Sequence, residues 1–375
     1  MAAGGGGDAL AALFVHRALS PEGERPVVAS YSWDRFILDP QPGPRCPADF
    51  HGLSQITPGN WEVTQDSCLV SGGRSTLTML ARYTEARFVL LDPRNGVSGL
   101  RAQLAELASA LSAVNVTLVD VGGDVIAHGS EPELLSPLAD SMALAALGSS
   151  DLDSQAVIAG PGLDGELAPA TVRQRCASLG DQLSELCPAH VEPYLAALAH
   201  HPSEATTLLA AATLGVRGQA EIRDLGSPVR VDELSATIHI VKPSALLGVN
   251  EIARQMTMTR SLDEAERVAI AVGHRSELTH ERQKAHDSKR GQELPDRAEL
   301  TRRYATYRQD ALSRGVSLLT FRHLAEVIGL LDYDPSFIRS LVGADAHRQL
   351  AICQLHGSGR RARSGIPGQV GGPHH

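Results

Sequence analysis

The sequence predicts an α/β fold: a Rossmann-like parallel sheet with helices on both faces, followed by a small β addition and a helical C-terminal part. Two observations carry this reading. Short β-branched runs alternate with Ala/Leu-rich segments of helical period up to about residue 180, the pattern of βαβ units. Each of these helical segments also follows a turn rich in Gly, Asp, Pro or Ser, as helix starts require.

Strands are expected at 26–31, 87–91, 115–119 and 155–159, and helices at 8–19, 98–113, 133–147 and 169–179. Ser98 reads as an N-cap after Asp92-Pro-Arg-Asn-Gly96, its hydroxyl accepting from an orphan amide of the first turn. Beyond residue 190 the pattern changes to helices at 191–199 and 203–214. Three short strands follow at 220–223, 228–231 and 236–241, read as a small antiparallel addition. Helices at 244–257, 261–272, 297–311 and 321–328 come next, joined by the highly charged stretch 280–297. The expected organisation is an α/β ligand-binding domain over 1–190 and a mixed β/helical part over 191–355 packed on it. Residues 356–375, rich in Gly, Arg, Pro and Ser without apolar period, read as a disordered tail.

With 375 residues, 43% hydrophobic and 21% charged, the chain can bury a full core. A formal net charge of -9 argues against binding a nucleic-acid backbone, which needs a clustered cationic face. No window approaches the roughly 18 consecutive apolar residues of a membrane span, and the N-terminus lacks the basic start of a secretory signal. The expected compartment is the cytoplasm. The five cysteines, Cys46, Cys68, Cys176, Cys187 and Cys353, are widely spaced and read as reduced structural thiols with no base partner. No Gly-x-Ser-x-Gly elbow occurs, and the glycine pattern is not that of a nicotinamide dehydrogenase.

Candidate chemistry lies in glycine-acid turns. Gly4, Gly5, Gly6, Gly7 and Asp8 run directly into an apolar helix, where backbone amides can approach a phosphate or carboxylate. Such a turn should follow a strand, and only Met1-Ala-Ala precedes it, so the start of that strand is expected to lie upstream of Met1. Asp120-Val-Gly122-Gly123-Asp124 follows the third expected strand, and Gly160-Pro-Gly-Leu-Asp164-Gly-Glu166 the fourth. Acids beyond the carboxyl ends of parallel strands lie where open α/β sheets collect ligands. Asp120 and Asp124 are candidate Mg²⁺ ligands or partners of sugar hydroxyls; Asp164, Glu166 and Asp124 are candidate acid/base groups. Arg35, in Trp33-Asp-Arg, and Arg45, at the end of the proline-rich loop from Asp39, are candidate anion forks. Ser71-Gly-Gly-Arg-Ser-Thr76 is a weaker anion loop without Walker spacing. Turn and capping chemistry accounts equally for any one of these turns alone.

These residues together resemble an uncharacterised prokaryotic family, domain of unknown function 1152. The resemblance rests on Gly4–Asp8, Trp33-Asp-Arg35, Asp39-Pro with Pro42-Gly-Pro-Arg45, Asp120–Asp124 through Gly129-Ser-Glu131, Ser136–Asp140 and Asp164-Gly-Glu166, and it covers residues 4–242. It implies an α/β fold, an apolar strand before the glycine run, and no established reaction. A fainter similarity of Asp120–Glu131 to the Gly-Gly-Asn-Glu turn of the D-glutamate cyclase family implies lyase chemistry.

The leading expectation is an enzyme acting on an anionic, nucleotide-like or sugar-phosphate-like metabolite by glycosyl or phosphoryl transfer or hydrolysis, with Mg²⁺ the candidate cofactor. The alternatives are a lyase or cyclase acting on an amino acid, and a ligand-sensing module without turnover. The expected partner is a small molecule, with no nucleic acid or membrane, and self-association into a homo-oligomer is left open.

Overall fold

The computed structural model describes residues 1–20, 23–222, 228–287 and 295–356. The chain runs α1 (Gly6–Leu19), β1 (Val27–Ser30), β2 (Phe50–His51), β3 (Ser54–Thr57), β4 (Asn60–Val63), β5 (Cys68–Leu69), α2 (Thr76–Tyr83), β6 (Arg87–Leu90), α3 (Gly96–Leu111), β7 (Val116–Val121), α4 (Pro137–Gly148), β8 (Ser154–Ala159), α5 (Pro169–Ser178) and β9 (Gln182–Glu185). It continues α6 (Pro188–Val191), α7 (Leu195–Leu198), α8 (Glu204–Thr213), β10 (Gly218–Glu221), β11 (Val229–Val231), β12 (Thr237–Val241), α9 (Pro243–Val249), α10 (Glu251–Met256), α11 (Leu262–Gly273), α12 (Glu277–Asp287), α13 (Arg297–Ser313), β13 (Leu318–Thr320), α14 (Phe321–Ile328), α15 (Pro335–Val342) and β14 (Ile352–Gln354).

Residues 1–3 are the centre of the main sheet. Ala2 N donates to Ala29 O of β1, Ala3 N to Val119 O of β7, and Val119 N to Met1 O. These bonds join β3-β4-β6-β1 to β7-β8-β12-β9. The strand position before the glycine run is therefore occupied by Met1–Ala3. From residues 1–3 the chain steps outward through β1 to β6, then returns to lay β7 and β8 on the other side, so the strand order reverses between residues 1–3 and β7. Ligands of open α/β sheets bind at such a reversal.

β1 pairs with β6, and β7 with β8, in parallel. The sheet is nevertheless mixed: β4 lies antiparallel on β6 and β12 antiparallel on β8, with β3 and β9 antiparallel at the edges. Side chains alternate across the sheet as period-2 strands require. Val28, Val119, Val121 and Val157 face a core shared with α1, α2 and α8; Ala29, Leu118, Ala156 and Ile158 face one shared with α3, α4, α10 and α11. Helices on both faces are thus seen. Helix α4, PLADSMALAALG, is buried almost all round, and Asp140 is its sole acid.

Several elements differ from the sequence reading for identifiable reasons. Helix α3 starts at Gly96, with Ser98 inside its first turn: Gly96 takes φ +61, and a Cβ there would meet Thr259 O at 2.6 Å. The helix expected at 244–257 breaks at Asn250, whose side chain accepts from Ala253 N and caps α10. The helix expected at 191–199 is broken around Pro193, which has no N–H to give. Of the three strands expected as one addition, β10 and β11 pair with each other, but β12 joins the main sheet. The charged stretch is no mere linker, because α12 runs through its first part and buries Glu277, Leu278 and Glu281. The residues expected as a disordered tail lie outside the described residues, apart from His356.

The last part of the described chain has its own core, built on α13, α14, α15 and β13. Its strand β13 runs parallel to β10. Its firmest polar link to the α/β body is Arg322 of α14, which bonds Glu204 at the start of α8; both are buried, and Thr320 Oγ1 donates to the same carboxylate at 2.6 Å. Removing one partner of a buried pair leaves an uncompensated charge. Arg322→Ala is therefore expected to cost about 3–5 kcal/mol, read as a lowered denaturant midpoint, whereas the exposed pair Arg74–Asp332 should be nearly silent when broken.

Candidate functional site

A partly open cavity of about 130 Å³ lies at the strand reversal. Its floor is the glycine turn. Gly4–Gly7 have no left-handed φ; they are glycines because the turn is tightly packed. A Cβ on Gly5 would stand 2.6 Å from Trp33 O, one on Gly6 2.7 Å from Thr76 Cβ, and one on Gly7 2.7 Å from Ser203 Oγ. His201, fully buried, fixes the turn from behind, its Nε2 lying 3.3 Å from Gly6 O while its Nδ1 accepts from Ser203 N. Burial holds this imidazole down at about 4, so it is neutral.

Five helices, α1, α2, α4, α8 and α12, begin at this cavity. Each N-terminus presents a partial positive charge and favours an acid in its first turn. Asp8, Asp140, Glu204 and Glu277 occupy those first turns. Asp34 serves α2 from outside, accepting from Thr76 N at 3.1 Å and from Thr76 Oγ1. Asp120 comes from the end of β7, Asp124 from the turn after it, and Asp164 from the turn after β8. Gly122 and Gly123 take φ +119 and +128, and a Cβ on Gly122 would overlap the Asp164 carboxylate. These two glycines bring the turns together without lining the cavity. Gly162 N donates to Gly122 O at 2.7 Å and locks them.

Asp8, Asp120 and Asp140 each place a carboxylate oxygen within 4.8 Å of the others. Asp8 Oδ2 accepts from Gly4 N at 2.8 Å and Asp120 Oδ2 from Val125 N at 3.3 Å. Burial, opposed by the Gly4 amide and reinforced by the charge of Asp164, raises Asp8 to about 7. Burial also lifts Asp120 and Asp140 well above the usual carboxylate range, with Asp8 among the charges acting on both. Asp124 is raised by burial and then by Glu166 and Asp164. Glu277, raised by burial to about 7, accepts from Leu138 N and Ala139 N and so caps α4.

The expected residues separate on this frame. Gly4–Gly7, Asp8, Arg35, Asp120, Asp124 and Asp164 line one cavity. Glu166 does not; it accepts from Leu135 N at 2.7 Å, Ser136 N at 3.0 Å and Ser136 Oγ, and so holds the approach to α4. Arg45 does not reach the cavity either, because its guanidinium is buried against Asp39 and Gln41. The proline-rich loop instead clamps α12, with Trp33 Nε1 and Gly43 N both donating to Glu281. The expected metal pair Asp120 and Asp124 is met by a different triplet, in which Asp140 and Asp8 join Asp120. Thr76, from the weaker anion loop, lines the cavity as the first residue of α2.

Glu204, Glu277, Glu281 and Arg322 escaped the sequence reading, and Asp34 and Asp140 entered it only inside the motifs of the family resemblance, without a role. A lone acid inside an otherwise apolar helix was the available signal for Asp140, and the i, i+4 pair Glu277 and Glu281 was hidden in a charged run. Cys187, expected to have no partner, lies 3.5 Å from His190 Nε2. Since His190 Nδ1 accepts from Cys187 N, Nε2 bears the ring proton and is no base for the thiol.

Among the described residues, no helix is long and apolar enough to cross a membrane. A family model described as "Protein of unknown function (DUF1152)" matches residues 1–285, a span that holds the glycine turn and every cavity acid. No curated protein and no solved structure matches the chain.

An acid whose folded pKa is raised above its unfolded value stabilises the fold at low pH, and that contribution is lost as pH rises through the folded pKa. Wild type minus Asp8→Asn isolates the titration of Asp8 and of the acids coupled to it, since groups outside the cluster cancel. The thermal midpoint of wild type is expected to fall relative to that of Asp8→Asn as pH is raised from 6 to 8, across the value of about 7 for Asp8. Parallel profiles over that range would contradict the buried cluster.

Proposed function

This chain belongs to that family of unknown function, and on that premise we propose that it is an enzyme acting on a small anionic metabolite, nucleotide-like or sugar-phosphate-like, at the carboxyl edge of its sheet. The observation that carries the reading is the convergence, at the strand reversal, of the glycine turn opening α1 with the acids Asp8, Asp120, Asp124 and Asp164. The amides of Gly5–Gly7 lead a helix N-terminus into the cavity, where a phosphoryl or carboxylate group is favoured. Asp164, held by Glu166 N at 3.1 Å from its Oδ1, is the acid/base group for transfer or hydrolysis at a glycosyl or phosphoryl centre. Asp124 assists it from the neighbouring turn. Glu166 is a positioning residue for α4. Arg35 and Arg322 supply the cavity's positive charge in place of Arg45. We place the activity in the cytoplasm and the substrate among freely diffusing small molecules.

The lining carries nine carboxyl side chains against two arginines, so an anionic substrate enters only with countercharge of its own. That same negative excess favours a second reading, a lyase or cyclase acting on an amino acid whose ammonium lies among the carboxylates.

The readings separate in a thermal-shift screen of nucleotides, sugar phosphates and amino acids, each with and without Mg²⁺, because a ligand that binds only the folded state raises the midpoint by mass action. A rise with a phosphate-bearing compound supports the first reading, and a rise with amino acids alone replaces it with the second. With the substrate class found, Asp164→Asn is expected to lower kcat by roughly 100-fold or more while sparing binding. Retained turnover would remove Asp164 from the chemistry.

A further inference from the structure

We propose that Asp8, Asp120 and Asp140 form a binding site for one hard divalent cation, Mg²⁺ or Mn²⁺, with Asp124 on the wall of the same cavity. Three observations converge. The first is size: the three carboxylate oxygens lie within 4.8 Å of one another. Oxygens on opposite sides of an octahedral Mg²⁺ stand roughly 4.2 Å apart, twice the metal–oxygen distance. Adjacent oxygens of such an ion stand roughly 3.0 Å apart, so the triplet closes on one ion by side-chain movements of no more than about 1 Å.

The second observation is orphaned polarity. The Asp140 carboxylate, 7% exposed, makes no hydrogen bond among the described residues, and Asp124 Oδ1, on a side chain 6% exposed, is buried without a partner. Both residues line the cavity that holds the triplet. Buried polar groups in folded proteins are nearly always partnered, and exceptions mark a missing ligand or ion. The third is the space kept open in front of them. A Cβ on Gly4 would stand 3.0 Å from Asp8 Oδ2 and 3.5 and 3.6 Å from the two Asp140 oxygens, so the bare glycine backbone leaves room where the carboxylates meet. An all-carboxylate donor set without thiolate or imidazole selects Mg²⁺ or Mn²⁺ over zinc.

The three donors stand on separate rigid elements, the first turn of α1, the end of β7 and the first turn of α4. Mg²⁺ bound by carboxylates keeps several waters, which substrate phosphates displace. A cation here lies beside the Gly5–Gly7 amides and supplies the countercharge for the anionic group. That last role rests on the proposed function; the cation site does not.

The test uses the full chain stripped with EDTA and titrated with Mn²⁺ alone, bound metal being read by electron paramagnetic resonance or water-proton relaxation. One Mn²⁺ per chain, displaced by Mg²⁺, is expected. Asp140→Asn is expected to weaken binding on the order of tenfold or more by removing ligand charge, and Gly4→Ala to weaken it by crowding the Asp8 and Asp140 carboxylates while retaining all three acids. Circular dichroism verifies that each variant is folded. Absence of bound Mn²⁺ in wild type overturns the site, as does unchanged affinity in a folded Asp140→Asn. Should Asp140→Asn fail to fold, wild-type stoichiometry and Gly4→Ala decide, unchanged affinity in Gly4→Ala overturning the assignment. Mn²⁺ binding without response to any phosphate-bearing metabolite would keep the site and discard the anionic-substrate reading.

Discussion

Five helices begin at one cavity, and that convergence is the constraint on which the rest of the structure depends. A buried carboxylate is costly, and several together repel one another. Helix N-termini offset part of this, since each favours a nearby negative charge by about 0.3–1 kcal/mol. Asp8, Asp140, Glu204 and Glu277 accordingly sit in first turns, and Asp34 accepts directly from the first amide of α2. Were the helices to start one turn later, Asp8, Asp140 and Glu277 would be left in the interior without that compensation.

A second ring of acids secures these starts. Glu166 and Glu277 between them take the amides of Leu135, Ser136, Leu138 and Ala139, so the beginning of α4 is satisfied from two directions. Those bonds set the depth of Asp140. Glu281 does the same for the loop opposite, tying Trp33 and Gly43 to α12. Elements far apart in the chain thus share hydrogen bonds around one space, and a polar network of this kind fixes positions more sharply than apolar packing does.

The C-terminal helical part enters the same scheme. Arg322 and Thr320 both reach Glu204 at the start of α8, and Arg322 lies on the cavity wall. The link that docks this part on the α/β body therefore also brings one of the two arginines of the lining. Tyr333 Oη adds a bond to His201 O, behind the glycine turn.

What the sequence determined by itself was local. Hydrophobic periodicity located β1, β6, β7 and β8 and the helices α1, α3, α4 and α5 to within a few residues, because it reports burial on one element at a time. It also located the glycine-acid turns, whose chemistry is carried by neighbouring residues. The tertiary structure decided what depends on separation. Residues 1–3 were too short to read as a strand; they become one because β1 and β7 supply the hydrogen bonds on either side. Arg45 looked like an anion fork until Asp39 and Gln41 took its donors. Asp140 and Glu277 looked like an acid in an apolar helix and an acid in a charged run. They join Asp8 and Asp120 because α4 and α12 start at the strand reversal, and no pattern in the linear sequence encodes which helix N-termini will meet in space.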